Sequence, residues 1–223
     1  MSDEKILQRR PSGPGRLSAE QAADLPDRIL DAALELFSQD GYGGTTMERI
    51  AKKAGASTKT IYARYDNKAD ILQAVVVRLQ DRTIAAHAAT LPPDPRNVDP
   101  HLFLSSFGVS VVMNLNEQAT AGLNRLAFAE SHRFPELRRL FDMVLARGAN
   151  IIRHGLEAWS EQGLLPALRG EFDRAATLCM TMMLERCRIR AVIGDPMSQG
   201  ETEAHMNYAV EMFLRACGYE ARR

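Results

Sequence analysis

Between Gly41 and Lys68 the chain carries six basic side chains, Arg49, Lys52, Lys53, Lys59, Arg64 and Lys68, against two acidic ones, Glu48 and Asp66. The whole chain of 223 residues is formally neutral, with 28 basic and 28 acidic residues, so this excess is local. Interleaved with the cations are the hydroxyls of Thr46, Ser57, Thr58, Thr60, Tyr62 and Tyr65. Cations and hydroxyl donors at this density suit the clamping of phosphate oxygens, with longer side chains left to reach base edges. The plain alternative is a solvated charged face on a pair of helices.

Other chemistries find no support. The five histidines, His87, His101, His132, His154 and His205, are scattered without a matched nucleophile or metal partner. No P-loop, GxGxxG, GxSxG or HExxH pattern occurs. The three cysteines, Cys179, Cys187 and Cys217, are odd in number and sit among apolar neighbours at helical spacing. They suggest neither a disulfide framework nor zinc ligation, and fit a reducing cytoplasm. No catalytic residue, metal site or cofactor is expected, and an enzyme is the weaker reading.

The elements that must position the cationic cluster follow from periodicity. Pro26 suits the first turn of a helix, and Ile29, Ala32, Ala33, Leu36 and Phe37 then form one apolar stripe. Gly41, Gly43 and Gly44 stop it. Thr45 or Thr46 caps a second helix with the stripe Met47, Ile50, Ala51 and Ala54, and Gly55 ends it. Ser57 or Thr58 caps a short third helix holding Ile61 and Tyr62. A long helix begins near Lys68 and carries Ile71, Val75 and Leu79 towards Leu91.

Two helices that cross closely need a small residue at the crossing, a glycine for the turn, and an apolar anchor beneath the second helix. Ala51, Gly55 and Ile61 meet these demands at the spacing of a helix-turn-helix. A solvated charged face would not require that spacing, which favours DNA as the partner of the cluster.

The segment from Gly41 to Leu72, GYGGTTMERIAKKAGASTKTIYARYDNKADIL, closely resembles the N-terminal domain of the TetR family of one-component transcriptional regulators. Gly41-Tyr42, Thr45-Thr46, Ile50-Ala51, Ala54-Gly55, Ser57 to Tyr62, Tyr65 and Lys68 fill the family's places. The resemblance implies that Ser57 to Tyr62 is a recognition helix in the major groove, with Thr58, Lys59 and Arg64 able to reach bases. It also implies that Thr46, Thr60, Tyr62 and Lys68 hold phosphates, with Arg49 divided between groove and solvent. Tyr62 has a second reading as a core ring beneath Ile61. Arg64 stands where the family often has an aromatic residue or histidine, which leaves its base preference open.

The expected organisation is all-α: a flexible arm over 1–25, a DNA-binding domain over 26–84 with its motif at about 47–66, and a helical dimerisation and effector-binding domain over 85–223. The arm, with RRPSGPGR at Arg9 to Arg16, reads as a solvated tail or as a basic strand along a DNA groove. Its first eight residues lack the apolar core of a signal peptide, and no run is long and apolar enough for a membrane span. The proline-rich stretch LPPDPRNVDP, from Leu91 to Pro100, is the clearest break. Helices are expected beyond it at about 100–116, 118–132, 135–162, 171–193 and 200–217. No two-residue alternation suggests a sheet.

The C-terminal two-thirds must supply dimerisation and, by resemblance, a small-molecule pocket. RLAFAESHRFPEL, from Arg125 to Leu137, resembles the AefR-like subgroup of the family. The stretch from Leu178 to Leu184 is apolar nearly all round, so its helix is expected to bury two faces, one on its own core and one on a partner subunit, the plain alternative being a helix deep within one chain. Met180, Met183, Leu184, Cys187, Met206, Val210, Phe213 and Leu214 are the expected interface between two subunits. Phe107, Met113, Arg125, Phe128, Met143, Trp159 and Met183 are the candidate pocket residues, with Glu130 and His132 as further polar contacts. Methionine suits such a role because it adapts to varied apolar shapes. The expected partners are an operator in double-stranded DNA, a second copy of the chain and an unidentified small molecule. A helical interaction or ligand-binding module without DNA is the rival reading.

Overall fold

In the computed structural model, which describes residues 24–89 and 94–220, the helices of the N-terminal part begin and end at capping or breaking residues for the most part. Helix α1 (Leu25–Gly44) opens with Pro26 in its first turn and turns sharply at Gly41, whose φ of 73° lies in the left-handed region. Helix α2 (Met47–Ala54) is capped by Thr46, whose side chain accepts from Arg49 N, and ends on Gly55 at φ 65°. Helix α3 (Thr58–Tyr62) is capped by Ser57. Asn67 and Asp70 form a reciprocal capping box at the start of α4 (Lys68–Ala88). Beyond a short 3-10 turn (Pro95–Asn97) lie α5 (Pro100–Asn116), α6 (Gln118–Glu130), α7 (Pro135–Glu161), α8 (Phe172–Ile193) and α9 (Gln199–Ala216). The five C-terminal helices fall within two residues of the spans expected from periodicity, and no strand occurs among the described residues.

Most of the proposed N-terminal arm, and the prolines at 92 and 93, lie outside the described residues. Leu25, taken as the arm's last residue, is buried and already helical. The boundary expected near 84 falls inside the continuous helix α4.

Two apolar cores form. The first gathers Ile29, Ala33 and Phe37 of α1, Ile50 and Ala51 of α2, Ile61 of α3, and Ile71, Val75 and Leu79 of α4. It also takes in Leu123 and Leu126 of α6 and Leu137 of α7, so the head rests on the body through shared packing. The second core joins Phe103, Leu104 and Phe107 of α5, Ile152, Leu156 and Trp159 of α7, and the inner faces of α8 and α9.

That second core corrects the expected interface. Met180, Met183, Leu184, Cys187, Met206, Val210, Phe213 and Leu214 are all buried inside the protomer. Helix α8 packs against α5, α6, α7 and α9 of its own chain, so most of its apolar circumference is already covered. A side chain sealed in this way has no surface left to offer a partner. The apolar groups that α8 and α9 turn outwards are others: Leu178, Ile189 and Ile193 on α8, and Tyr208 and Met212 on α9. The three on α8 are spaced by eleven and four residues, which places them on one helical face.

Candidate nucleic-acid interface

The corner formed by α2 and α3 is held from beneath. Ala51 and Ile61 are buried, and Gly55 turns the chain between the two helices in a conformation that costs an L-residue about 1–2 kcal/mol. A Cβ on Gly55 would also lie 2.6 Å from the Arg28 guanidinium. Arg28 reaches from α1 to the carbonyl of Ala54 and so caps the end of α2. Arg78 of α4 pairs with Asp27 at 3.2 Å and Asp31 at 2.6 Å, fastening α4 across α1.

On this support the face of α3 is open. Lys59, Tyr62 and Arg64 are exposed, as is Lys52 at the end of α2. None of the ion pairs found among the described residues involves Lys52, Lys59 or Arg64, so their charge is uncommitted. The Ser57 and Thr60 hydroxyls lie 2.7 Å apart at the start of α3, and Thr58 beside them is partly exposed. Tyr62 is 49% exposed, so its ring is not the core ring of the second reading. The corner therefore presents cations and hydroxyls together on one convex surface.

Three members of the expected set have other duties. Thr46 spends its side-chain oxygen on the N–H of Arg49, at 3.3 Å. Arg49 pairs with Asp40 at 2.7 Å and donates to the Gly44 carbonyl at 2.7 Å, which ties it back to the end of α1. Lys53 is likewise paired, with Glu35 at 2.5 Å. Lys68 departs furthest from expectation. Its half-buried ammonium donates to the carbonyls of Tyr42 at 2.5 Å and Thr45 at 3.0 Å, and it lies 4.3 Å from the centre of the Tyr42 ring. Two of its three protons are thus given to the backbone, and burial draws its pKa down against the opposing pull of Glu130 and Glu136. Lys68 positions the turn before α2 rather than standing free as a phosphate ligand.

That turn carries a second clasp, one that sequence reasoning missed. The Glu130 carboxylate, at the end of α6, accepts from the backbone N–H groups of Tyr42 and Gly43, each at 3.2 Å. The buried Tyr42 hydroxyl donates to Glu136 of α7 at 3.0 Å, and burial together with that carboxylate pushes the phenol far above its ordinary pKa. Glu130, expected among the polar contacts of an effector, binds the head instead, as does Glu136. The pairing spans 88 residues of chain, and no local pattern could have announced it.

A cavity of about 160 Å³ lies between α4, α5, α6, α7 and α8. Its walls are largely apolar, including Leu79, Phe107, Leu123, Phe141 and Leu184, with Gln80, Thr120 and Arg188 among the polar exceptions. Of the expected pocket residues, Phe107 lines it. Met113 is packed against the C-terminal core, and Met183 is fully buried within it. Trp159 is buried too, its indole N–H donating to the Pro95 carbonyl at 2.7 Å. Arg125, Phe128 and His132 face outwards, and Met143 lines a separate hollow beside Asp70 and Glu136. Met180 and Leu184, expected at a subunit interface, line the cavity instead. Large side chains at helical spacing look alike from either side of a wall, and only packing tells core from cavity.

Comparison with known proteins agrees with this arrangement. Residues 29–75 match the family described as bacterial regulatory proteins, tetR family. Residues 103–219, more than half of the chain, match the AefR-like transcriptional repressor C-terminal domain. Among curated relatives, the HTH-type transcriptional repressor ComR of Escherichia coli K12 is 37% identical over 76 residues, which cover 34% of this chain and 36% of that one. The HTH-type transcriptional regulator SrpR of Pseudomonas putida is 38% identical over 65 residues, 29% of this chain and 30% of its own. The matches thus span about a third of the length of these relatives. Among solved structures, a TetR-family regulator of Mesorhizobium loti MAFF303099 superposes with a TM-score of 0.72 at 25% identity, covering 89% of this chain and 98% of that one. The flavonoid-responsive regulator FrrA shares the fold, with a TM-score of 0.64 at 23% identity over 87% of this chain and 97% of its own.

Proposed function

Because the chain belongs to the tetR family of bacterial regulatory proteins, we propose that it is a cytoplasmic repressor that binds a palindromic operator as a homodimer and releases it when a small molecule fills the cavity. In this reading residues 26–84 form the reading head and 85–223 the body that dimerises and senses. The family is one of transcriptional regulators rather than enzymes. Among the described residues no helix is long and apolar enough to cross a membrane.

The observation that carries the reading is the open face of α3, where Lys59, Tyr62 and Arg64 project from a corner sealed beneath by Ile61. Uncommitted cations on a short helix can enter the major groove, where an arginine or lysine reads guanine O6 and N7. A five-residue helix reads few bases, so two copies are required. We place the twofold contact on the outward stripe of Leu178, Ile189, Ile193, Tyr208 and Met212, because these large apolar groups are exposed on two adjoining helices. Two heads related by that axis would meet successive major grooves about 34–36 Å apart, or at a multiple of that spacing.

Helix α6 offers a route from ligand to operator. Its Thr120, Leu123 and Ala127 line the cavity, and its last residue, Glu130, clasps the turn that leads into α2. A ligand that shifts α6 would carry the head with it. By linkage the effector then binds less tightly when the operator is occupied.

Selection of genomic fragments by the purified protein, followed by gel-shift of the enriched sequences, tests the reading. A palindromic site should emerge, and the logarithm of affinity should fall with the logarithm of salt by about 0.9 per phosphate neutralised. A flat salt response, or the absence of any enriched site, would remove DNA as the partner.

A further inference from the structure

The cavity between α4 and α8 is apolar but not neutral. Its 25 lining residues, all of them described, include one charged side chain, Arg188, and no carboxylate. That guanidinium is almost sealed, with 11% of the side chain exposed, and it lies 5.4 Å from the centre of the Phe141 ring. The carboxylate paired with it, Glu185, stands 3.3 Å away and is itself 44% exposed, so it belongs to the outer side. Two further groups on the wall are incomplete. The Thr120 hydroxyl has no hydrogen-bond partner although the residue is only 8% exposed. Gln80 donates its Nε2 to the Val144 carbonyl at 3.2 Å, while its buried Oε1 is unbonded. Arg188 lies against the Phe141 ring and Gln80 bonds the Val144 carbonyl, so both touch α7 within one turn of the cavity wall.

Resting on the reading of this cavity as the effector site, we propose that it takes a small, largely apolar organic anion: a ring or branched hydrocarbon body bearing a carboxylate for Arg188 and a hydroxyl that donates to Gln80 Oε1. The physical reason is the cost of closure. A neutral ligand filling the cavity would strip Arg188 of its remaining water and leave it only the half-exposed Glu185 carboxylate, and desolvating a charge without a further acceptor is expensive. A cationic ligand would be repelled outright. An anion gives the guanidinium a second acceptor on the cavity side, opposite its outer partner Glu185, and a hydroxyl completes the acceptor that is already desolvated. The volume sets the scale: a cavity of about 150 Å³ lined by aliphatic and aromatic groups accommodates benzene. One ring with small polar substituents therefore fits, and a multi-ring or long-chain molecule would require the helices to part.

The test compares 3-hydroxybenzoate with 3-hydroxybenzamide, which match in shape, differ in charge and keep the hydroxyl free of an internal hydrogen bond, by calorimetry on the full-length protein. The anion should bind at least about tenfold more tightly, the scale of a charge-assisted hydrogen bond against a neutral one. Arg188→Gln should erase that preference, and Arg188→Lys should keep part of it. Equal or tighter binding of the amide by the wild-type protein would overturn the charge assignment while leaving the cavity a binding site. A third variant, Leu123→Trp, enlarges a wall residue on α6 while Arg188 on α8 is unchanged, and should abolish binding of both compounds. If L123W binds them as the wild type does, the cavity is not the site and the effector reading falls with the proposal; if neither compound binds the wild type, the proposed ligand class falls and the effector reading stands.

Discussion

At the scale of single residues, the corner separates side chains that hold the head together from side chains left over. Arg28, Arg49, Lys53 and Lys68 are cations by type, but each is tied to a carbonyl or a carboxylate of its own chain. Among the described residues Lys59 and Arg64 are in no such pair, and under the proposed function they are the reading residues. Replacing both by alanine should abolish specific operator binding in a gel-shift while the dimer persists in sedimentation. Each lost bidentate base contact corresponds to roughly 1–3 kcal/mol of discrimination. Unchanged affinity for the operator would mean that the head reads through other groups. His87 supplies a second prediction of this kind. It is buried at the end of α4 between the rings of Phe103 and Phe107, with centroids at 5.1 and 5.3 Å, and burial lowers its pKa below 6.5. Folding therefore favours the neutral imidazole. Its contribution is fully present above pH 6.5 and is lost as the pH falls through the lowered folded value. The urea midpoint should drop between pH 7.5 and 5.5, and His87→Leu should flatten that drop. An identical pH dependence in H87L would exclude the imidazole as its source.

At the scale of elements, the proposed route from ligand to operator runs through the joint between α6 and the turn before α2. Gly41 must adopt a φ of 73°, and a Cβ there would lie 2.6 Å from Glu130 Oε1. The turn is thus shaped to receive the carboxylate. Glu130→Ala should leave two backbone donors without their acceptor and lower stability by about 1–2 kcal/mol, the scale of hydrogen bonds to a charged group reduced by partial exposure. The more telling result would be in coupling. The variant should still bind operator, but its release by an effector should require more ligand or fail. Release titrations that superpose on those of the wild type would show that the signal travels by another helix. The same joint explains why Lys68 is not spare: its ammonium and the two glutamates all hold Tyr42, at its carbonyl, its N–H and its hydroxyl.

For the whole molecule, the decisive feature is the stripe that the cores do not use. Ile193 is 69% exposed and Tyr208 66%, on helices whose inner faces are completely buried. Water-facing groups of that size on two packed helices are expected to be covered in the working assembly. Ile189→Glu combined with Ile193→Glu should convert the dimer to a folded monomer in sedimentation equilibrium, with unchanged helical circular dichroism. Operator affinity should then collapse although the head is untouched, because one short recognition helix reads too little sequence. A variant that stayed dimeric would place the twofold axis elsewhere. Met183→Glu, by contrast, should unfold the body, since Met183 lies wholly inside the core.

Local physics was enough to determine the helices and the reading head from the order of residues. Caps at Thr46, Ser57 and Asn67, the breaks at Gly41 and Gly55, and a 3.6-residue apolar period act over a few positions, and so they can be read along the chain. The triplet Ala51, Gly55 and Ile61 likewise encodes a crossing of two adjacent helices. What only the tertiary structure decided is which side of each C-terminal helix faces its own core, which faces the cavity and which faces solvent. Leu178, Met180 and Met183 are all apolar and lie within six residues, yet one is exposed, one lines the cavity and one is sealed. The clasp between Glu130 and the turn at Tyr42 is equally invisible in the chain, as is the unpaired Thr120 hydroxyl. The reason is that hydrophobicity drives burial without direction. It says that a group leaves water, and the packing of distant helices says where it goes.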